Sequence, residues 1–185
     1  MMGETGGNVL LDVNLILGKA QIGENMKVAT LGCGSSGHFV FPAAQLVGKK
    51  KGIVYAVDIL KTVLERVTRL AKQDNYSNVV PIWSDLEIFN ATKIEAGSLD
   101  VVLLINILYQ SHKRVEILRE AIRMLKKDGR VLIVEWKNIA SPLGPPVEER
   151  VNINLLHTAA PKLGLKLEEE FQAGQFHYGV VFNKL

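Results

Sequence analysis

Short apolar runs alternate with amphipathic segments along most of this chain. The runs are rich in valine, isoleucine and leucine, which is typical of parallel strands buried on both faces of a sheet. Between the runs, apolar residues recur at intervals of three and four, which predicts helices packed against that sheet. The predicted strands are residues 28–31, 53–57, 79–83, 99–105 and 131–136.

The predicted helices differ in how clearly their ends are marked. The helix at residues 113–125 is followed by Lys126 and Lys127, whose charges suit the negative end of a helix dipole, and by Gly129. We expect Gly129 to take the left-handed conformation that closes a helix. Other helices are predicted at residues 9–22, 61–72 and 147–160, and the glycine-rich residues 1–8 are predicted to be a frayed tail.

The pattern changes after residue 136. Residues 137–146 contain three prolines, which predict a stiff loop. Two further strands, residues 165–171 and 176–182, are separated by a short turn at residues 172–175, and this arrangement predicts an antiparallel hairpin. The chain is therefore expected to form an α/β fold, a doubly wound sheet with helices on both faces and an antiparallel addition at one side.

Length and composition limit the classes of protein to which this chain can belong. A chain of 185 residues fits a single domain, with residues 1–26 as tail and leading helix and residues 27–185 as core. With 48% hydrophobic and 22% charged residues, the composition is that of a globular protein. The net charge of only +3 argues against a dedicated nucleic-acid-binding module.

The chain has one cysteine, Cys33, which excludes an internal disulfide and permits a reducing, cytoplasmic location. No uninterrupted apolar run is long enough to span a membrane, so we expect no membrane partner. The four histidines lack ligand spacing with another histidine, cysteine or carboxylate, and we expect no metal site.

Glycines follow the first predicted strand directly. Gly32, Gly34 and Gly37 form the pattern G-x-G-x-x-G, and apolar residues at helical spacing come next. Such a strand, glycine turn and helix can bring backbone N–H groups close to a nucleotide. The alternative is a turn whose glycines serve packing alone.

Carboxylates follow the next two strands. Asp58, at the end of the second strand, can accept hydrogen bonds from both hydroxyls of a ribose, in a dinucleotide or in a nucleoside. Asp85, after the third strand, can accept from an exocyclic adenine amine. The alternative for Asp85 is the N-cap of a short helix near Glu87.

At this point the chain resembles the class I S-adenosylmethionine-dependent methyltransferases. The resemblance covers residues 27–184 and rests on five segments in order: TLGCGSSGHF, VYAVDIL, WSDLE, SLDVVLLINIL and LKKDGRVLIVEW. It implies a Rossmann-like sheet of seven strands with the last antiparallel. It also implies that S-adenosyl-L-methionine is the cofactor, bound across the ends of the first two strands where strand order reverses.

The family's binding positions can be carried over to this sequence. The glycine turn would contact the methionine part of the cofactor, Asp58 the ribose, and Ile59 one side of the adenine. Asp85 and Leu86 match the adenine edge, and Asn106 lies close to the reactive end. The positions that the resemblance implies as cofactor-binding are Gly32, Gly34, Ser35, Asp58, Ile59, Asp85, Leu86 and Asn106.

Two departures from the family pattern affect cofactor binding. Thr30 stands where the family usually has an acidic residue, and a hydroxyl is a weaker partner for an ammonium group. The family's loop is commonly G-x-G-x-G, whereas here Ser35 and Ser36 precede Gly37.

Methyl transfer from a sulfonium is an in-line displacement, so we expect catalysis mainly by positioning of the acceptor. Tyr109 and His112, past the fourth strand, are the candidates for a catalytic role; histidine is the residue type suited to accept a proton near neutral pH, and the alternative for His112 is to cap the following helix. We expect the loop 137–146 to cover the acceptor.

Because we expect a single domain, the leading helix and the loops after the fourth and fifth strands would recognise the acceptor, and this suits a small molecule. The alternative is a protein or RNA acceptor that docks from outside. Two other functions remain open from the sequence. One is a catalytically silent binding protein with the methyltransferase fold. The other is a nicotinamide-dependent oxidoreductase, for which no hydride-transfer residues are found.

Overall fold

The computed structural model describes residues 10–185. The predicted tail at residues 1–8, and the first residue of the predicted leading helix, lie outside the described residues. Seven strands form one sheet in the order β3-β2-β1-β4-β5-β7-β6. The strands are β1 (Lys27–Leu31), β2 (Ile53–Asp58), β3 (Val79–Trp83), β4 (Leu99–Ile105), β5 (Leu125–Trp136), β6 (Leu165–Gly174) and β7 (His177–Lys184).

Strand direction gives the sheet its functional edge. Strands β1 to β5 are mutually parallel, and β7 is antiparallel to both of its neighbours, β5 and β6. The expected doubly wound α/β sheet of seven strands with the last antiparallel is confirmed. Because β1 lies between β2 and β4, the strand order reverses at β1, and the carboxyl ends of these three strands meet at one edge.

Helices cover both faces of the sheet. The α-helices are α1 (Val13–Lys19), α2 (Val40–Val47), α3 (Lys61–Gln73), α4 (Arg114–Met124) and α5 (Ile153–Ala159). Helices α1, α2 and α3 pack in one apolar cluster and α4 and α5 in the other. Neighbouring residues of β4 take opposite sides, with Leu103 in the first cluster and Leu104 in the second. Burying each contributes about 1.5–3 kcal/mol to folding.

The leading helix is shorter than predicted but packs as an amphipathic helix should. The Asp12 side chain accepts a hydrogen bond from the Leu15 N–H and caps the helix start. Ile16 and Leu17 are buried in the first cluster, and Lys19 pairs with Glu169 on the edge strand β6. No helix within residues 10–185 is both long and apolar enough to cross a membrane.

Three further predicted boundaries are wrong. The helix predicted at residues 147–160 is interrupted: a 3₁₀ turn, Val147–Glu149, is followed by extended backbone at Arg150 before α5 begins. The turn predicted at residues 172–175 is shorter, because β6 continues to Gly174 and β7 starts at His177. After α4, Asp128 and not Gly129 has the positive φ, and β5 already starts at Leu125.

Candidate functional site

A cleft of about 880 Å³ opens at the carboxyl ends of β1, β2 and β4. It lies at the reversal of strand order, where parallel α/β sheets usually bind their ligands. The structure brings together all eight residues predicted to bind the cofactor, and each of them lines the cleft: Gly32, Gly34, Ser35, Asp58, Ile59, Asp85, Leu86 and Asn106.

The glycine turn fits closely against the rest of the site. Gly32 has φ +69°, and its N–H donates to the Val57 carbonyl at 2.8 Å. A Cβ at Gly32 would lie 1.9 Å from Cδ1 of Ile107, so a side chain there would displace Ile107 and strain the backbone. Gly34 has φ +66°, and a Cβ there would meet no atom within 4 Å. The second glycine is therefore needed for its backbone conformation and leaves space above the turn.

Asp58 joins the end of β2 to the glycine turn. Its Oδ2 accepts a hydrogen bond from the Gly34 N–H at 3.2 Å, and its Oδ1 accepts one from the Leu60 N–H at 3.0 Å. The residue is only 8% exposed. A carboxylate has about four acceptor positions, and Gly34, Leu60 and the Cys33 thiol, whose Sγ lies 4.0 Å from Oδ2, use at most three of them. The remaining capacity, on Oδ1, suits a ribose hydroxyl as donor.

The far wall of the cleft combines apolar and acidic groups. Ile59 is 52% exposed and offers an apolar side chain to a ligand in the cleft. Leu86 is buried and is held by its packing in the apolar core. Asp85 Oδ1 accepts from the Glu87 N–H at 2.9 Å, which fixes the turn after β3. Asp85 thus closes a local turn, although the short helix that it was alternatively expected to cap near Glu87 does not form, and it also lines the cleft.

The third wall is the post-β4 loop, residues 106–111. Asn106 turns the chain with φ +55°, and its N–H donates to the Val134 carbonyl at 2.8 Å. The Gln110 side chain donates to the Asn106 carbonyl at 2.7 Å. The short 3₁₀ helix Leu108–Gln110 follows.

The two catalytic candidates are separated by the structure. Tyr109 lines the cleft and is partly buried. Burial raises the pKa of its phenol, and the nearby carboxylates Glu135 and Glu149 raise it further. His112 is exposed and does not line the cleft.

Glu135 is a part of the site that the sequence analysis missed. It lies on β5, is completely buried, and accepts hydrogen bonds through Oε1 from the N–H groups of Ile107 at 3.0 Å and Leu108 at 2.6 Å. Burial raises the pKa of Glu135 to about 8, although the backbone donors and the Arg114 guanidinium favour the ionised form. The available signal was one acidic residue within the apolar run VLIVEW.

Thr30 and Cys33 lie near the cleft but do not line it. Thr30 is 3% exposed, and its hydroxyl makes no hydrogen bond with any residue in the described part of the chain. Cys33 is buried, and burial together with the charge of Asp58 raises the pKa of its thiol well above the ordinary value. Within residues 10–185, no group of three or more His, Cys, Asp or Glu could hold a metal ion.

Arg150 fastens the loop 137–146. Its guanidinium is buried and donates to four backbone carbonyls of the loop, at Lys137, Ile139, Leu143 and Pro145. The loop also packs on Trp136, because a Cβ at Gly144 would lie 2.6 Å from that ring. None of the residues 137–146 lines the cleft.

Comparison with known proteins gives a consistent result. A family model described as a methyltransferase domain matches residues 22–175. The fold is similar to that of a SAM dependent methyltransferase from Aquifex aeolicus, with 20% identity, 97% of this chain and 93% of that chain covered, and a TM-score of 0.86. It is also similar to an arsenic(III) S-adenosylmethionine methyltransferase from Chlamydomonas reinhardtii, with 21% identity, coverage of 92% and 72%, and a TM-score of 0.71. No curated protein matches the sequence significantly.

Proposed function

The chain belongs to the methyltransferase domain family, in the class that uses S-adenosylmethionine, and from that premise we propose that it methylates a small-molecule acceptor. The observation that carries the proposal is the convergence of the eight predicted cofactor residues on one cleft at the reversal of strand order. We place the reaction in the cytoplasm, since the one cysteine, Cys33, is a buried free thiol.

The residues of the cleft fit the cofactor part by part. Asp58 would accept from the ribose with the acceptor capacity that Gly34, Leu60 and the Cys33 thiol leave unused. The open space above Gly34 suits the close approach of the methionine part. Ile59 and Leu86 would contact the adenine, and Asp85 would accept a hydrogen bond from the adenine amine. When bound, the cofactor supplies a methyl group on a sulfonium, an activated leaving group.

The post-β4 loop would position the acceptor. Asn106, Tyr109 and Gln110 line the cleft at the end of β4 and offer amide and phenol groups as hydrogen-bond partners. The raised pKa of Tyr109 keeps its phenol protonated near neutral pH, so Tyr109 would orient the acceptor and not remove a proton. His112 is exposed outside the cleft, which favours catalysis by positioning over general-base catalysis by this histidine.

Arsenic(III), the substrate of the Chlamydomonas reinhardtii enzyme of similar fold, does not suit this chain. Arsenic(III) binds thiolates, and a thiolate is the ligand form of cysteine. Cys33 is the one cysteine of the sequence, and the pKa of its thiol is raised by burial. The amide and phenol groups of the post-β4 loop suit instead an acceptor that they hold by hydrogen bonds and that is methylated on carbon, nitrogen or oxygen.

Thermal unfolding with S-adenosylmethionine, S-adenosylhomocysteine and NADH tests the proposal. A ligand that binds only the folded protein raises the unfolding temperature. We expect a rise with the two sulfur compounds and none with NADH. A rise with NADH alone would favour the oxidoreductase. Formation of S-adenosylhomocysteine with a pool of small acceptors then separates an enzyme from a silent binding protein, which would bind the cofactor without turnover.

A further inference from the structure

The Glu135 carboxylate holds the loop that forms one wall of the cleft, although Glu135 itself does not line the cleft. It reaches from β5 to the backbone N–H groups of Ile107 and Leu108. These two residues open the 3₁₀ helix Leu108–Gln110, whose first position has no side-chain cap of its own. Glu135 therefore supplies from a neighbouring strand the acceptor that the loop lacks.

The position of this loop affects the cofactor side of the cleft directly. Asn106, Ile107, Tyr109, Gln110 and Ser111 all line the cleft. The Ile107 side chain lies so close to Gly32 that even a methyl group on that glycine would overlap it. A shift of the loop would therefore move a side chain against the glycine turn.

The surroundings of Glu135 hold its side chain in a fixed position. Its side chain is inaccessible to solvent, and the strand that carries it pairs with β4 on one side and β7 on the other. Arg114 on α4 donates to the Leu108 carbonyl at 3.0 Å, so the loop is held from two elements. The charged or titratable groups that face Glu135 are Arg114 from α4, Tyr109 from the loop and Tyr178 from β7.

We propose that Glu135 is a positioning residue for methyl transfer. It holds the post-β4 loop in the position that binding of the cofactor and acceptor requires. The proposal rests on the function proposed above and extends it to a residue that touches neither ligand. Without Glu135, two N–H groups at the start of the 3₁₀ helix lose their acceptor, and the loop populates other positions. Binding is then weakened by the fraction of molecules whose loop is in the competent position.

Glu120 provides a matched control. It is also a completely buried glutamate that accepts two backbone N–H groups, those of Asn90 at 2.7 Å and Thr92 at 2.9 Å. The segment that it holds, residues 90–94, does not line the cleft. Loss of Glu120 therefore removes a buried glutamate, here paired with Arg123, whose segment reaches the cleft only through the hydrogen bond between Thr92 and Ser84.

The experiment is a calorimetric titration of S-adenosylhomocysteine into the wild type, Glu135→Ala, Glu135→Gln and Glu120→Ala, at a temperature where all are folded by circular dichroism. We expect Glu135→Ala to weaken binding about tenfold or more. Glu135→Gln keeps an acceptor oxygen and is expected to restore binding to within about threefold of the wild type. Glu120→Ala is expected to stay within the same range.

Equal binding by Glu135→Ala and Glu120→Ala would overturn the proposal, as would failure of Glu135→Gln to restore affinity.

If Glu135→Ala does not fold, Glu135→Asp replaces it. The aspartate keeps the carboxyl group but shortens the side chain by one methylene, and we expect it to bind more weakly than Glu135→Gln; the reverse order would refute positioning. A wild type that does not bind S-adenosylhomocysteine contradicts the proposed function itself, whereas normal wild-type binding with an unaffected Glu135→Ala contradicts only the role of Glu135.

Discussion

Asp58 accepts a hydrogen bond from the backbone N–H of Gly34, with 3.2 Å between Oδ2 and the nitrogen. The bond connects the end of β2 to the glycine turn that follows β1. The carboxylate that would bind the ribose and the turn that would contact the methionine part are thus fixed relative to each other. Such preorganisation lowers the cost of ordering the site when the cofactor binds.

Glu135 and His177 together predict a plateau of stability between about pH 4.5 and 6.5, where their opposite effects cancel, and a loss of stability above pH 6.5. Burial lowers the pKa of His177 to about 4, so the unfolded chain binds more protons than the folded protein between about pH 4 and 6.5, and this effect alone would make the free energy of unfolding rise with pH there. Burial raises the pKa of Glu135 to about 8, so the folded protein holds the extra proton between about pH 4.5 and 8. Above pH 6.5 only the Glu135 effect operates, and stability falls.

Urea unfolding at pH 6.5 and pH 8 measures this effect. We expect the wild type to lose roughly 1–2 kcal/mol between the two values, since one proton changes the free energy of unfolding by at most about 1.4 kcal/mol per pH unit. Glu135→Gln should show a flat profile over the same range. A wild type as stable at pH 8 as at pH 6.5 would show that Glu135 is ionised throughout.

Glu120→Ala should be among the most destabilising substitutions on α4. Burial would raise the pKa of Glu120, but hydrogen bonds from Arg123 and from the backbone N–H groups of Asn90 and Thr92 outweigh it and lower the pKa to about 2. Removing one member of a buried ion pair costs about 3–5 kcal/mol. Chemical denaturation of Glu120→Ala measures the loss.

The control for Glu120 is the exposed pair on the same helix, Glu116 and Arg119, which are also three residues apart. Exposed pairs contribute less than about 1 kcal/mol, so Glu116→Ala should unfold almost as the wild type does. Similar losses for the two variants would mean that burial of the Glu120–Arg123 pair adds nothing.

Much of the fold is readable from the sequence because each element has its own periodicity. Strands β3 and β4 have the predicted bounds, since their apolar runs end at clear polar residues. The helix expected over residues 147–160 has the right apolar spacing, yet it is interrupted at Arg150. The guanidinium bonds four loop carbonyls, and no local pattern indicates such long-range partners.

The residues of the site also divide into those that local sequence predicts and those that depend on long-range contacts. The glycines and Asp58 could be placed at the cleft because their position follows from the strand ends that they adjoin, which is a local property of the sequence. Glu135 was missed because its role depends on the Ile107 and Leu108 N–H groups, which belong to a different strand-loop unit. A charge within an apolar run signals a buried polar contact, but it does not identify the partner.

Thr30→Asp, suggested by the family pattern as a way to tighten cofactor binding, should instead destabilise the fold. Thr30 is 3% exposed, does not line the cleft, and has no hydrogen-bond partner within residues 10–185. A carboxylate there would be buried without a donor. Thr30→Val, which removes the unbonded hydroxyl, should be neutral or stabilise by about 1 kcal/mol and leave cofactor affinity unchanged. Tighter binding of S-adenosylhomocysteine by Thr30→Asp in calorimetry would refute this.

Arg150→Lys should release the loop 137–146 without affecting the cofactor. A lysine ammonium cannot reproduce the geometry of a guanidinium that serves four carbonyls, among them those of Lys137 and Pro145. We expect faster amide hydrogen exchange and faster proteolysis across the loop, with affinity for S-adenosylhomocysteine within about twofold of the wild type, since no loop residue lines the cleft. Reduced turnover of Arg150→Lys with normal cofactor binding would support a role of the loop at the acceptor. Weaker cofactor binding would contradict the prediction.

Asp58→Ala tests the central claim, that this cleft binds S-adenosylmethionine through a ribose-binding carboxylate. The measurement is a calorimetric titration of S-adenosylhomocysteine into the wild type, Asp58→Ala and a control, Asp100→Ala, whose carboxylate accepts the Lys27 N–H at 2.7 Å at the opposite edge of the sheet. Hydrogen bonds to a charged group contribute about 1.5–3 kcal/mol, so Asp58→Ala should bind roughly 10- to 100-fold more weakly while Asp100→Ala binds as the wild type does. Equal affinity of Asp58→Ala and the wild type, or no binding by the wild type, would contradict the claim.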